Sequence, residues 1–321
     1  MNFIMGEMTF LRYFIPLIVE GNKRGIKSNL YIRSNQKYTN PYKFKKDLMW
    51  FSEKFQCNLL EFDKLDSLTG ISFLVEGVDV ESLPKDTFKI SLTYMTDTNK
   101  LYKAYVDHVD AVVFPSKSFL DLGGLQETDK NVCLGSPKYD IVLDKSDCMK
   151  KYGISEDQKY ALIMYPRQRD ISKFPMVDVI SSLKEIGYVP IIKTRGKDPC
   201  TDTMGCLYFE DFSWFPHTTM ELIECSDIVI NSGSTTIKEI VMMKKPVINF
   251  DIKPFHDQLS FFYGYDFAFS ENNISMSELQ KRVLLLTSYD WKHSFDQCIK
   301  DYLFEGVGTS ARILDYYREY L

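Results

Sequence analysis

Two groups of residues have the types and spacing to handle a phosphorylated ligand. The first is Ser232-Gly233-Ser234-Thr235-Thr236, a run with no bulky side chain. It lies between the β-branched Ile228-Val229-Ile230 and the helix-spaced Ile237, Ile240 and Val241. The second is a set of cations that follow neighbouring apolar runs: Arg167 and Arg169 after Tyr160 to Met164, then Lys193, Arg195 and Lys197 after Val189 to Ile192. A helix start leaves backbone N–H groups without intrahelical partners and carries partial positive charge. Gly233 lets a ligand come close to the backbone, and the hydroxyls of Ser234, Thr235 and Thr236 add donors, so a phosphate suits such a place. Arginine forks would position a diphosphate, and lysine would add point charge. The plain alternatives are a hydroxyl N-cap and solvated surface cations.

Proton transfer needs a carboxylate or an imidazole. In the first half of the chain Glu7, Glu76 and Asp97 follow apolar runs and are the candidates for a general base; each is equally a cap or loop carboxylate. We rank Glu7 first and Asp97 second. His217 precedes the helical turn that carries Glu221, where a cap or surface role is the alternative to ligand contact. Glu239 falls on the helix after Thr236, near Lys238 and Met242.

These residues need a frame to hold them. At 321 residues, the chain suits two α/β domains. Hydrophobic residues are 45%, with 23 Phe and 20 Tyr, enough for well-filled interiors. A net charge of −5 argues against broad nucleic-acid binding. The seven cysteines are odd in number, form no CxxC pair and suggest no zinc site, which fits reduced thiols in the cytoplasm. No apolar run reaches membrane-spanning length. Met1 to Val19 is interrupted by Glu7 and Arg12, so it reads as strand and helix rather than as a signal peptide. Phe and Tyr side chains of the first domain allow a peripheral contact at the inner face of a membrane, although no clear amphipathic basic helix stands out.

Apolar runs predict strands at Asn2 to Met5, Asn29 to Arg33, Asn58 to Phe62, Ile71 to Val75, Phe88 to Tyr94, Ala111 to Phe114 and Val132 to Leu134. Between them, Phe10, Tyr13, Phe14, Leu17 and Ile18 line a helix with Thr9 as its N-cap and Pro16 inside it, where it kinks the helix or weakens one turn. Phe44, Leu48, Phe51 and Phe55 line another. Gly135-Ser136-Pro137 turns the chain, and the domain boundary falls near Leu143. The second half predicts strands at Tyr160 to Met164, Val189 to Ile192, Leu207 to Phe209, Ile228 to Ile230 and Val247 to Phe250. A helix face runs through Val177, Ile180, Leu183 and Ile186. Cys225 to Asp251 reads as a βαβ unit of a parallel sheet, in which ligands bind beyond the carboxyl ends of the strands.

Four short motifs carry a resemblance across most of the chain. Ser234-Thr235 with Glu239 and Lys245-Pro246-Val247-Ile248 resembles the nucleotide-binding segment of GT-B glycosyltransferases. Their relatives include the CDP-glycerol glycerophosphotransferases, the UDP-GlcNAc 2-epimerases and the capsule and lipopolysaccharide sugar transferases. Gly6 with Pro16-Leu17-Ile18, Gly135 to Asp140, and Gly308 to Ile313 are similar to the first βα unit, the domain-closing stretch and the tail helix of those proteins. The resemblance implies a GT-B fold: two Rossmann-like domains, residues 1–143 for the acceptor and 144–305 for the donor, their parallel sheets facing across a cleft. Residues 306–321 would form a tail helix crossing back to the first domain.

By the same resemblance Glu239 holds a ribose, His217 contacts phosphate, and Glu7 stands where Kdo transferases carry a base after glycine. The implied activity is metal-independent transfer from a UDP- or CDP/CMP-linked donor, a substrate rather than a cofactor, to a saccharide or lipid-linked acceptor in surface polysaccharide or glycolipid synthesis. A CDP-glycerol-type phosphotransferase is second, although Thr194-Arg195-Gly196 replaces the histidine-proline usual there. An epimerase is third, because Met8 and Phe10 replace the arginine and glutamate of its first loop. A non-catalytic nucleotide-binding module would keep the Ser232 to Thr236 turn and need no base.

Overall fold

Each half of the chain builds one parallel sheet from short apolar runs. The computed structural model describes residues 1–32, 41–61, 68–93, 98–194, 199–200, 202–211, 213–252, 257–303 and 308–321. The chain divides into two compact units: Met1–Ile141 together with Asp301–Leu321, and Val142–Lys300.

The first unit contains strands Asn2–Met5 (β1), Asn29–Ile32 (β2), Asn58–Glu61 (β3), Ile71–Val75 (β4), Phe88–Leu92 (β5), Ala111–Phe114 (β6) and Asn131–Cys133 (β7). They form a seven-stranded sheet in the order β3-β2-β1-β4-β5-β6-β7. Every neighbouring pair is parallel. A parallel sheet is covered on both faces, which is why β1, β4 and β6 are buried at every residue. Helices Leu11–Lys23 (α1), Lys45–Lys54 (α2), Thr98–Tyr105 (α3) and Lys117–Leu122 (α4) connect them.

Helix α1 is buried from Leu11 through Ile18. Phe14 meets Phe3 of β1 at 5.2 Å between ring centroids, and the terminal helix Thr309–Tyr316 (α11) packs on α1. Asp140 receives the backbone N–H of Thr309 at 3.0 Å and that of Ser310, fastening the start of α11. Arg24 reaches Asp315 at 2.7 Å. One local expectation changes here. Thr9 is no N-cap: a 3-10 turn at Met8–Phe10 feeds directly into α1, whose own cap position, Phe10, makes no side-chain cap bond. Pro16 stays inside an α1 that is continuous from Leu11 to Lys23.

Across the amino ends of three strands runs a row of asparagines. Asn2, Asn29 and Asn58 stand in register. Asn58 donates to Asn29 at 2.9 Å, Asn29 donates to Asn2 at 3.0 Å, and Asn2 donates to the Thr69 carbonyl at 2.8 Å.

The second unit contains Lys159–Met164 (β8), Tyr188–Lys193 (β9), Leu207–Phe209 (β10), Ile228–Asn231 (β11), Val247–Phe250 (β12) and Ala268–Glu271 (β13). Its six-stranded order is β10-β9-β8-β11-β12-β13, again all parallel. Helices Lys145–Tyr152 (α5), Met176–Glu185 (α6), Thr218–Cys225 (α7), Ile237–Met242 (α8) and Met276–Ser288 (α9) follow in chain order, and Lys292–Tyr302 (α10) runs across the division at Lys300.

The core around β8, β9, β11 and β12 includes Ala161, Ile163, Ile192, Ile228, Ile230 and Ile248. Helix α6 turns Val179, Ile180 and Leu183 inward, whereas Val177, expected on that face, is 61% exposed. Strand β13 escaped the sequence reading because it is a half-exposed edge strand with no alternating apolar pattern.

Candidate functional site

In both sheets the first strand lies inside the order, and the chain turns from one side of it to the other. That change of direction opens a crevice at the carboxyl ends of two neighbouring strands. In the second unit the neighbours are β8 and β11, and the turn Ser232 to Thr236 leaves β11 at that place. The Ser232 hydroxyl donates to the Met164 carbonyl at 3.3 Å, tying the turn to the end of β8. The Tyr165 N–H donates to the Lys193 carbonyl at 3.0 Å, so the ends of β8 and β9 are also joined.

Two buried asparagines hold the turn. Asn231 and Asn249 are register partners on β11 and β12, 0% and 2% exposed. Asn249 accepts the Gly233 N–H at 2.8 Å and donates to Ser270 of β13 at 2.9 Å. Asn231 donates to the Tyr263 hydroxyl at 2.8 Å and to the Ser234 carbonyl at 3.3 Å. Burial pushes the Tyr263 phenol well above its usual range, which keeps it protonated. A buried amide left without partners costs about 1–3 kcal/mol, so this network strongly favours one backbone path.

That path places Gly233 at φ +66°, with no heavy atom within 4 Å of where a Cβ would stand. The turn closes on itself through Ser234 and Thr236, whose hydroxyls lie 2.9 Å apart, and the Thr236 N–H donates to the Ser234 hydroxyl at 3.3 Å. Ile237 and Lys238 donate to the Ser234 and Thr235 carbonyls. Among the described residues the N–H groups of Ser234 and Thr235 meet no acceptor. Helix α8 has only six residues, and a macrodipole is the sum of aligned peptide units. What the turn offers an anion is therefore mainly local N–H and hydroxyl donors rather than a long helix dipole. Thr236, at the cap position, makes no side-chain cap bond.

The cations are less free than their spacing implies. Lys193 is 3% exposed, and its ammonium lies 2.7 Å from Asp211 Oδ1. His217 Nε2 is 3.6 Å from the same oxygen. His217 also caps α7, Nδ1 accepting the Thr219 N–H at 3.4 Å. Lys193, Asp211 and His217 thus form one group beside the ends of β9 and β10. Arg169 is largely exposed and lies 3.6 Å from the buried Asp170. Arg167 is half-buried at the head of the 3-10 turn after β8, its carbonyl receiving the Asp170 N–H at 2.8 Å. Arg195 and Lys197 lie outside the described residues. Glu239 is no exposed helix-face carboxylate: it is 8% exposed in the first turn of α8, beside a Lys238 that is 7% exposed.

In the first unit Glu7 stands where β1 meets β4, the corresponding change of direction. It is half-buried, in extended conformation, and receives the Thr9 hydroxyl at 3.4 Å. Asp97 lies outside the described residues. The neighbouring turn is crowded: a Cβ on Gly6 would come within 2.7 Å of Val78. Among the described residues no cluster of three His, Cys, Asp or Glu side chains is placed to hold a metal ion.

Sequence reading passed over Asn231, Asn249, Asp211 and Tyr263. A signal for the first two is present: Val-Ile-Asn occurs at the end of one strand and within the next, Val229-Ile230-Asn231 and Val247-Ile248-Asn249. An amide inside a buried apolar run needs a reason to be there.

Neither a protein-family model nor a curated protein matches the chain. Solved structures do match in shape. The wall teichoic acid polymerase TagF (H548A form) has a TM-score of 0.68 and 11% identity over 99% of this chain and 88% of its own. A putative UDP-N-acetylglucosamine 2-epimerase from Listeria monocytogenes has 0.67 and 13%, over 99% and 95%. The glycotransferase of kitacinnamycin has 0.61 and 11%, over 100% and 99%. With two parallel sheets of the same strand order and this likeness over nearly the whole length, the chain has the GT-B fold.

Proposed function

We propose that the chain is a glycosyltransferase that takes its sugar from a nucleotide-activated donor, UDP- or CDP/CMP-linked. Its diphosphate, or the single phosphate of a CMP-linked donor, docks on the turn Ser232 to Thr236. The observation that carries this reading is the open glycine turn fixed by Asn231 and Asn249 at the carboxyl ends of β8 and β11. The N–H groups of Ser234 and Thr235, with the nearby hydroxyls, receive phosphate oxygens. Arg167 and the Lys193–Asp211–His217 group set the charge around them, and Glu239 contacts the ribose.

As the bond between the sugar and the nucleotide's phosphate breaks, negative charge grows on the departing nucleotide. Donors already in place stabilise it without reorganisation, and no metal is required. An acceptor hydroxyl attacks while Glu7, or failing it Asp97, takes the proton. The acceptor is a saccharide or lipid-linked saccharide of surface polysaccharide or glycolipid synthesis in the cytoplasm. The second reading is a CDP-glycerol-type phosphotransferase, favoured by the TagF match over 99% of the chain; it uses the same turn for a different leaving bond.

Calorimetric titration with UDP, CDP, GDP and CMP tests the site. A saturable signal from one base, lost in Asn249→Ala, supports it, and no binding by any of the four removes it. Transfer assays with Glu7→Gln and Asp97→Asn then test chemistry: turnover lost with binding retained identifies the base. Nucleotide binding without turnover on any donor would leave a binding module instead.

A further inference from the structure

We propose that a cavity at the amino end of β12 is a second saccharide site, one that takes an uncharged hexose of an oligosaccharide chain. The cavity measures about 340 Å³ and lies between the α8–β12 connection and the start of α10. Ligand pockets span roughly 300–1,000 Å³, so this one suits a small ligand or the end of a longer one. Pro246, on its wall, immediately precedes β12, whereas the turn Ser232 to Thr236 leaves the carboxyl end of β11. The cavity and the turn therefore lie at opposite ends of the sheet. The walls are aromatic and held in place. The Trp291 indole N–H donates to the Leu286 carbonyl at 2.7 Å, which fixes the ring and leaves its face for contact. Tyr289 is 62% exposed, its ring 5.5 Å from that of Trp291 and tilted by 50°. Phe295 is buried and stacks on Phe267 at 4.1 Å.

The rim decides the kind of ligand. Lys244, Lys292 and Asp290 stand there. Lys244 holds φ +52° just past the end of α8, a place glycine usually takes, and its ammonium reaches Asp296 of α10 at 2.5 Å. Asp290 accepts the Lys292 N–H at 2.9 Å. Two lysines thus face two carboxylates, and the balance gives no excess charge to draw a phosphate. The rim offers both donors and acceptors, which suit hydroxyl groups and not a wholly apolar ligand. A pyranose answers both surfaces. Its C–H face carries slight positive charge and lies on the negative face of an aromatic ring. Its hydroxyls donate and accept at the rim. The cavity shares no residue with the donor turn, so the inference goes beyond the donor reading and stands without it.

Calorimetric titration of the full chain with maltotetraose, cellotetraose and chitotetraose tests it. At least one should bind saturably, with an affinity that added salt leaves unchanged. Tyr289→Ala should weaken that binding roughly tenfold or more. Its position is exposed, so circular dichroism and the melting temperature should match the parent. Nucleotide titration should also be unchanged, and the nucleotides should not displace the saccharide, which separates failure here from failure of the donor site. The proposal is overturned if none of the three saccharides binds, if Tyr289→Ala binds like the parent, or if a nucleotide competes. It is equally overturned if dextran sulfate binds more tightly than the neutral saccharides and Tyr289→Ala abolishes that, which would mark an anion site. Self-association of the parent in light scattering that Tyr289→Ala abolishes would also overturn it, marking the face as a contact between copies.

Discussion

The two units thread their sheets in the same order and each carries a row of polar side chains across neighbouring strands, but at opposite ends. In the first unit Asn2, Asn29 and Asn58 line the amino ends and bond to one another and to the Thr69 carbonyl. In the second unit Asn231, Asn249 and Ser270 line the carboxyl ends, and the two asparagines also bond to the turn that leaves β11. The glycines differ in the same sense. Gly6 is packed against Val78, while the Cβ position of Gly233 faces open space. The first row satisfies polar groups within the sheet; the second spends the same chemistry on presenting a loop. A row of strand-end amides therefore says little by itself, and its place along the strands decides whether it serves stability or a site.

Substitutions can break or sharpen that contrast. The largest effect is expected from Lys193→Met, which leaves Asp211 without its ammonium partner. Removing one member of a buried pair is strongly destabilising, and because Asp211 is partly exposed the loss should be about 2–3 kcal/mol by urea denaturation. Weaker nucleotide binding in the same variant would tie the Lys193–Asp211–His217 group to the site, while unchanged binding would make it structural only.

Asn249→Ala and Asn29→Ala form the direct test. Each removes one amide with partners on both sides; loss of the buried Asn249 should cost about 1–3 kcal/mol and loss of the half-buried Asn29 about 0.5–1.5 kcal/mol. Only Asn249→Ala should also weaken nucleotide binding, by roughly tenfold or more. Equal binding in the two variants would end the distinction between the rows.

A glycine pair follows. Gly6→Ala meets Val78 and should cost about 1–3 kcal/mol of stability through overpacking. Gly233→Ala meets no atom, and its cost is the left-handed backbone alone, about 1 kcal/mol. Its methyl group would nevertheless occupy the space assigned to the ligand, so nucleotide titration should show the larger change in Gly233→Ala. The smallest effect belongs to Arg169→Ala. This exposed arginine lies 3.6 Å from Asp170, and its loss should change stability by less than about 1 kcal/mol.

Much of the local structure was legible. Asn2–Met5, Ile71–Val75, Ala111–Phe114, Leu207–Phe209 and Val247–Phe250 were placed to the residue, because compact apolar runs between turn-forming residues leave little choice of register. Val177 and β13 were not: at about 100° per residue Val177 falls at the edge of the buried stripe of Val179, Ile180 and Leu183, and a half-exposed edge strand carries little periodic signal. At the site the glycine turn was legible from small hydroxyl residues between a strand and a helix. The state of its cations was not. The same Lys-Thr sequence fits a solvated lysine and one that is 3% exposed beside Asp211.

The sequence by itself determined the run of strands and helices, the parallel βαβ grouping and the position of the turn at Gly233, because these depend on neighbours a few residues apart. Only the tertiary structure decided that Asn249 would hold Gly233, that Ser232 would be tied to Met164, and that Lys193 would spend its charge on Asp211. Those partners come from separate strands and loops, and no local preference reports them. They meet only when β8, β9, β10, β11 and β12 are laid side by side, and it is their meeting that fixes which polar groups remain for a ligand.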